Sequence, residues 1–198
     1  MLRIAITGGI ACGKSQVGAL FAANNVPVCD SDELAHRVIM NGTGAYRQII
    51  DEFGRKVVGQ DGEIDRSALG RIVFANPERL RILNALVHPG VKILWESWLR
   101  KQKGQAVAAV MIPLLYEAGQ EGNWGAVVCV SARESDQRTR LKARGLTVRE
   151  IKLRLAAQMP VWEKMERADH VIFNCGSLEL LKEQTLRVLN ELLERKHA

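Results

Sequence analysis

Residues Gly8-Gly9-Ile10-Ala11-Cys12-Gly13-Lys14-Ser15 match the phosphate-loop pattern G-x-x-x-x-G-K-[ST] at every fixed position, directly after the apolar run Leu2–Ile6. No other stretch restricts the fold as strongly. Glycines let the backbone turn inward and aim its N–H groups at phosphate oxygens. A helix opening at the loop adds partial positive charge at its N-terminus. Lys14 is the cation for the β- and γ-phosphates, and Ser15 offers a hydroxyl to Mg²⁺. The loop therefore predicts a buried strand, a nucleoside triphosphate site and a helix, in that order.

The rest of the chain continues the alternation. Lys14–Ala23 has Val17, Leu20 and Phe21 at helical spacing, and Val26–Cys29 is a second short apolar strand. A helix is expected from about Glu33 to Met40. Residues 43–103 read as three or four helical pieces, with a strand only over Lys56–Val58. Asn76-Pro77-Glu78 is a helix start, and His88-Pro89 is expected to break that helix. Ala106–Ile112, Ala126–Val130 and Val171–Phe173 are further strands. Ser131 with Glu134 and Thr147 with Glu150 have capping-box spacing, and Ser177 caps a last helix with Leu180, Leu181, Val188, Leu189 and Leu192 on one face.

Short strands that are apolar on both faces and alternate with helices predict an α/β fold, a five-stranded parallel sheet covered on both sides. The expected core is 1–32, 104–132 and 168–198, with a helical insertion over about 33–103 and an Arg-rich lid over about 133–160.

Composition narrows the function classes. The 198 residues are 47% hydrophobic and 25% charged, with a net charge of +6. Such a chain buries a core without staples, and its basic balance suits an acidic partner. Aromatic residues make up only 5%, against a nucleic-acid surface with stacking platforms. Cys12, Cys29, Cys129 and Cys175 form no C-x-x-C pair and no zinc spacing with His36, His88, His170 or His197. No stretch approaches a membrane span, and the first residues are too short an apolar run for a secretion signal, so a cytoplasmic protein is expected.

The loop alone serves GTPases, motors and kinases. A guanine-reading N-K-x-D segment is absent. Asp30-Ser31-Asp32 follows the second strand, at the edge where open parallel sheets bind ligands. A carboxylate there can take the proton of an attacking hydroxyl, and Asp32 is the candidate base. The same local pattern equally suits a helix cap. Pro113-Leu114-Leu115-Tyr116-Glu117 leaves the third strand at the same edge. Arg140 and Arg144 lie four apart, so both can face transferring phosphates from one helix face.

Together these segments resemble the dephospho-coenzyme A kinase family. The resemblance runs in order along nearly the whole chain. It takes in TGGIACGKS, CDSD, Leu86-Val87-His88-Pro89, IPLLYE at 112–117, Gln137-x-x-Arg140-Leu141-x-x-Arg144, Arg154-x-x-x-Gln158-Met159 and ADHVI-x-N-x-G-S from Ala168 to Ser177. It implies ATP-dependent phosphorylation of the ribose 3′-hydroxyl of dephospho-CoA, with Mg²⁺ and no obligate protein partner. It implies Asp32, Lys14 and Arg140 as catalytic residues. Gly9, Ala11, Cys12, Gly13, Lys14, Ser15, Gln16, Arg140 and Arg144 would hold ATP, with Asn174 near its adenine. His88 and Pro113–Glu117 would form the acceptor pocket with Asp32.

The loop departs from its relatives, which commonly carry Gly, Ser and Thr where Ala11, Cys12 and Gln16 stand. Ala tolerates positive φ poorly, so negative φ is expected at position 11. Gln16 lacks a hydroxyl for the α-phosphate. Cys12 sits beside Lys14 at a helix N-terminus, which is expected to lower its thiol pKa and favour oxidation. Two other readings compete: a P-loop kinase for a nucleoside, nucleotide or sugar acid, and a nucleotide-dependent binding protein.

Overall fold

The computed structural model describes residues 1–194; residues 195–198, including His197 and the end of the expected core segment, lie outside the described residues. Its elements, in chain order, are β1 (Leu2–Gly8), α1 (Lys14–Ala23), β2 (Val28–Asp30), α2 (Ser31–Val38), α3 (Gly44–Phe53), α4 (Arg66–Val73), α5 (Pro77–Lys101), β3 (Val107–Met111), β4 (Ala126–Ser131), α6 (Glu134–Ala143), α7 (Val148–Ala156), α8 (Val161–Glu166), β5 (His170–Phe173) and α9 (Leu178–Glu194). The chain divides into two compact units. One holds residues 1–30 and those from Trp98 onward; the other is Ser31–Ser97.

The first unit is built on the expected parallel five-stranded sheet, in the order β2-β3-β1-β4-β5. The register pairs Ile6 with Met111 and Gly8 with Val130. β1, β3 and β4 are buried almost throughout, as strands covered on both faces must be. Ile4, Ile6, Val17, Phe21, Val128, Val188, Leu189 and Leu192 join one core, in which α1 and α9 share a face of the sheet. Leu181 and Thr185 also turn inward from α9, whereas Leu180, expected on that stripe, is half exposed.

All five strands run the same way, so their carboxyl ends share one edge. The phosphate loop follows β1 there, and residues 113–117 follow β3.

The second unit is helical. Thr43 caps α3 by accepting from Tyr46 N, and Asp65 caps α4 by accepting from Ser67 N and Ala68 N. Asn76 accepts from Glu78 N and Arg79 N ahead of α5, as the sequence predicts. Lys56–Val58 is not a strand. A 3₁₀ turn covers Arg55–Val57, and Val58 makes one isolated bridge to Ile64.

Two further local predictions fail. Pro89 does not end its helix: α5 runs unbroken through it for 25 residues. A proline inside a helix costs about 3 kcal/mol. Val87, Val91 and Trp95, each four residues on, are all buried, and that stripe offsets the cost. Ser131 does not cap α6 either. It is the last residue of β4, and the N-cap is Arg133, without a side-chain bond. The Thr147–Glu150 capping box does form and opens α7.

Candidate active site

The loop geometry follows from close backbone approaches. Gly8 has φ 140, and a Cβ there would sit 2.0 Å from the carbonyl oxygen of Val130 on β4. Gly13 has φ 101 and is the N-cap of α1, with no side-chain cap bond over the helix N-terminus. A Cβ on Gly13 would meet Asn174 Nδ2 at 2.1 Å. Only glycine fits either place.

Ala11 overturns the expectation of negative φ: its φ is 57. An L-residue in the left-handed region carries roughly 1–2 kcal/mol of strain. Two contacts compensate. The Ala11 side chain is buried with Leu141 of α6 and Ile151 of α7. Its carbonyl accepts from Arg140 Nη1 at 3.0 Å.

Cys12 is also corrected. Its thiol is fully buried, and burial pushes its pKa up. Lys14 and Arg140 pull the other way and lose. A buried, protonated thiol is a packing group, not a reactive one.

Side chains from three elements converge on the loop. Lys14 Nζ donates to the carbonyls of Gly8 at 3.1 Å and Gly9 at 2.9 Å, which folds it back over the loop. Asn174, just past β5 and buried, donates from Nδ2 to Cys12 O at 2.9 Å and to Gln16 Oε1 at 3.1 Å. Arg140 of α6 adds Nη2 to Asn174 O at 3.0 Å. So Lys14, Cys12, Gln16, Asn174 and Arg140 form one connected network. Arg144 follows Arg140 by one turn, at the very end of the helix. It is the C-cap of α6, its N–H bonded to Arg140 O at 3.2 Å. Ser15 is exposed in the first turn of α1.

Residues 113–117 divide by role. Leu115 and Tyr116 are buried, with Arg167 stacked 4.4 Å from the Tyr116 ring centre. Pro113 and Leu114 are half-buried. Glu117 Oε1 pairs with Lys164 Nζ at 2.8 Å and accepts from Met159 N at 2.9 Å.

In the second unit, Asp32 is exposed on the first turn of α2, and Ser31 before it is buried. Asp32 thus stands two residues past Asp30, the last residue of β2. His88 lies half-buried in the middle of α5.

Three residues given no role in the sequence reading shape the first unit. Gln158 Oε1 accepts from Ile10 N at 2.9 Å and so holds the phosphate-loop backbone. Gln137 is buried and donates to Ala132 O at 3.1 Å beneath Gly9. Lys164 is fully buried. The repeated spacing Arg154-x-x-x-Gln158 was a signal for the first; nothing local separates Lys164 from the exposed lysines.

Ser15 is exposed and its hydroxyl is an oxygen donor of the kind a hard cation takes. Among the described residues, no group of three or more His, Cys, Asp or Glu is placed to hold a metal. Nor is any described helix long and apolar enough to cross a membrane.

A family model described as dephospho-CoA kinase matches residues 2–179. A dephospho-CoA kinase of Geobacillus kaustophilus is 43% identical over 193 residues, covering 96% of both chains. A crystal structure of a Thermus thermophilus protein superposes with a TM-score of 0.80 at 41% identity, covering 96% of this chain and 97% of that one. A dephospho-CoA kinase structure from Campylobacter jejuni gives 0.68 at 28% identity, covering 97% of each. Shikimate kinase of Acinetobacter baumannii shares the fold alone, with a TM-score of 0.52 at 17% identity over 99% of this chain and 95% of that one.

Proposed function

The chain belongs to the dephospho-CoA kinase family, and from that premise we infer how its own residues carry the family's reaction. The enzyme transfers the γ-phosphoryl group of ATP to the ribose 3′-hydroxyl of dephospho-CoA, the last step of CoA biosynthesis. The ribose oxygen bonds to the γ-phosphorus, the bond to the β–γ bridging oxygen breaks, and ADP leaves. The hydroxyl proton needs an acceptor as that bond forms.

In this reading the proton goes to Asp32. Its place two residues beyond the carboxyl end of β2 supports the role, because that edge also carries the phosphate loop. Lys14 exchanges its two loop carbonyls for β- and γ-phosphate oxygens, and the free amides of the α1 N-terminus cradle the chain. Ser15 is the protein ligand for Mg²⁺, which neutralises phosphate charge when bound. Asn174 and Gln16 border the nucleotide, and Arg144 supports Arg140.

The unit Ser31–Ser97, with His88, serves to bind the acceptor, and within the first unit Pro113–Glu117 is read as a wall segment for the same substrate. Helices α6 and α7 act as a lid. The enzyme works in the cytoplasm, with ATP and dephospho-CoA as its partners. Neither nucleic acid, a membrane nor an obligate protein partner has a part in this reading.

The observation that carries this reading is the seating of Arg140. One guanidinium from α6 bridges the phosphate loop at Ala11 and the end of β5 at Asn174. A planar fork held by two carbonyls is preorganised for developing phosphoryl charge. The test is turnover of dephospho-CoA against its 3′-deoxy analogue. ADP release with the first and none with the second is expected. Equal ADP release with both would place the acceptor oxygen elsewhere.

A further inference from the structure

Lys164 has no part in the chemistry above, yet its side chain is wholly removed from solvent. Burying an ammonium is costly unless it is paired and hydrogen-bonded. Lys164 Nζ meets that condition with two groups four residues apart. It donates to Pro113 O at 2.7 Å and pairs with Glu117 Oε1 at 2.8 Å. It therefore closes the two ends of the segment Pro113–Glu117 onto α8.

The connection extends further. The same Glu117 oxygen accepts from Met159 N at 2.9 Å, in the joint between α7 and α8. The neighbouring Gln158 holds Ile10 N of the phosphate loop. Helix α8 lies against β4 and β1 of the central sheet. Within the segment, the local bonds Ala118 N to Leu114 O and Gln120 N to Leu115 O make turns. None of these local bonds ties the segment to α8.

We propose that Lys164 is a positioning residue for the acceptor, a buried ammonium clip that fixes the shape of Pro113–Glu117 through the Pro113 carbonyl and the Glu117 carboxylate. This rests on the reading of that segment as a wall of the dephospho-CoA pocket. Glu117 then serves the acceptor through the clip and not by touching it.

Two variants of the full-length enzyme test the clip, with KM measured for each substrate in a coupled ADP assay and Tm recorded alongside. Lys164→Met keeps length and removes the charge. Glu117→Gln keeps an oxygen for Met159 N and removes the carboxylate. Both are expected to raise KM for dephospho-CoA about tenfold or more, with KM for ATP within twofold, because small misplacement of a binding segment acts on its own substrate. A lysine with only a structural role would lower Tm and the active fraction and leave both KM values alone. That result, or a parallel rise in both KM values, overturns the proposal. If Lys164→Met yields no folded protein, Glu117→Gln decides alone. Leu114→Ala separates the clip from the wall. A rise in KM for dephospho-CoA in Leu114→Ala but in neither clip variant overturns the clip and keeps the wall. A rise in the clip variants without one in Leu114→Ala keeps the clip and removes Leu114 from the wall.

Discussion

The guanidinium of Arg140 stands on the carbonyl of Ala11 at 3.0 Å, joining α6 to the phosphate loop across 129 residues of sequence. Its second terminal nitrogen donates to Asn174 O. One side chain of α6 thereby joins the phosphate loop to the end of β5.

Arg140→Lys keeps the charge and loses the fork. An ammonium is a point charge and cannot span both carbonyls while facing a phosphate. A fall of about 10²-fold in kcat is expected, the size seen for one lost transition-state donor. Steady-state kinetics with dephospho-CoA measures it. A change under threefold would make Arg140 a latch for the fold and nothing more.

Asp32→Ala separates a general base from an acidic residue that only steadies the first turn of α2. As the base, Asp32 acts only on the acceptor proton, so nucleotide affinity should change little while turnover drops by about 10²-fold or more. Equilibrium titration with a fluorescent ATP analogue and the kinetic assay are read together. Turnover within a few-fold of wild type would leave Asp32 as an acidic residue that favours the first turn of α2 through the helix dipole.

Ala11→Gly should be nearly neutral in stability. Glycine relieves roughly 1–2 kcal/mol at φ 57. It gives up about 0.8 kcal/mol of methyl burial and roughly 0.4–1 kcal/mol through the freer unfolded chain. Ala19→Gly, exposed inside α1, is the control and should cost about 1 kcal/mol. Urea unfolding compares them. A loss at Ala11 equal to or larger than that at Ala19 would mean the strain is not felt.

Alkaline pH should destabilise the enzyme through the buried groups Cys12, Cys129 and Tyr116. Burial pushes the Cys129 thiol up to about 12 from its ordinary 9.0, and the Tyr116 hydroxyl to about 12 from 10.0. The folded chain keeps protons that the unfolded chain releases, so this stability is present in full below pH 9 and is lost as pH rises toward 12. Cys129→Ala should flatten the decline of Tm over that interval. An unchanged slope would remove Cys129 as a cause.

Much of the fold was legible because its signals are local or periodic. The loop pattern, the doubly apolar strands, the Asn76 start of α5 and the Thr147–Glu150 box each depend on a few neighbouring residues. The misses share a different cause. Pro89 continues α5 because a buried stripe along that helix outweighs the proline's cost. Ala11 takes positive φ because residues 130 and more positions away, Leu141 and Ile151, bury its methyl. Cys12 keeps its proton because the sheet and its helices enclose it, a fact that spacing from Lys14 does not contain.

The candidate site shows the same division. Lys14, Gly13 and Arg140 were readable from motif and charge. Lys164 was not, since a lysine reads as surface until its partners, Pro113 and Glu117, are seen beside it. The burial of Leu115 and Tyr116, unlike that of their neighbours Pro113 and Leu114, is seen only in the fold.

The most direct test is the acceptor specificity of the purified enzyme with ATP and Mg²⁺. ADP release is followed with dephospho-CoA, shikimate, gluconate and adenosine as separate acceptors. The account predicts sustained turnover with dephospho-CoA and none above the ATPase background with the others. Turnover with another acceptor and none with dephospho-CoA would contradict it.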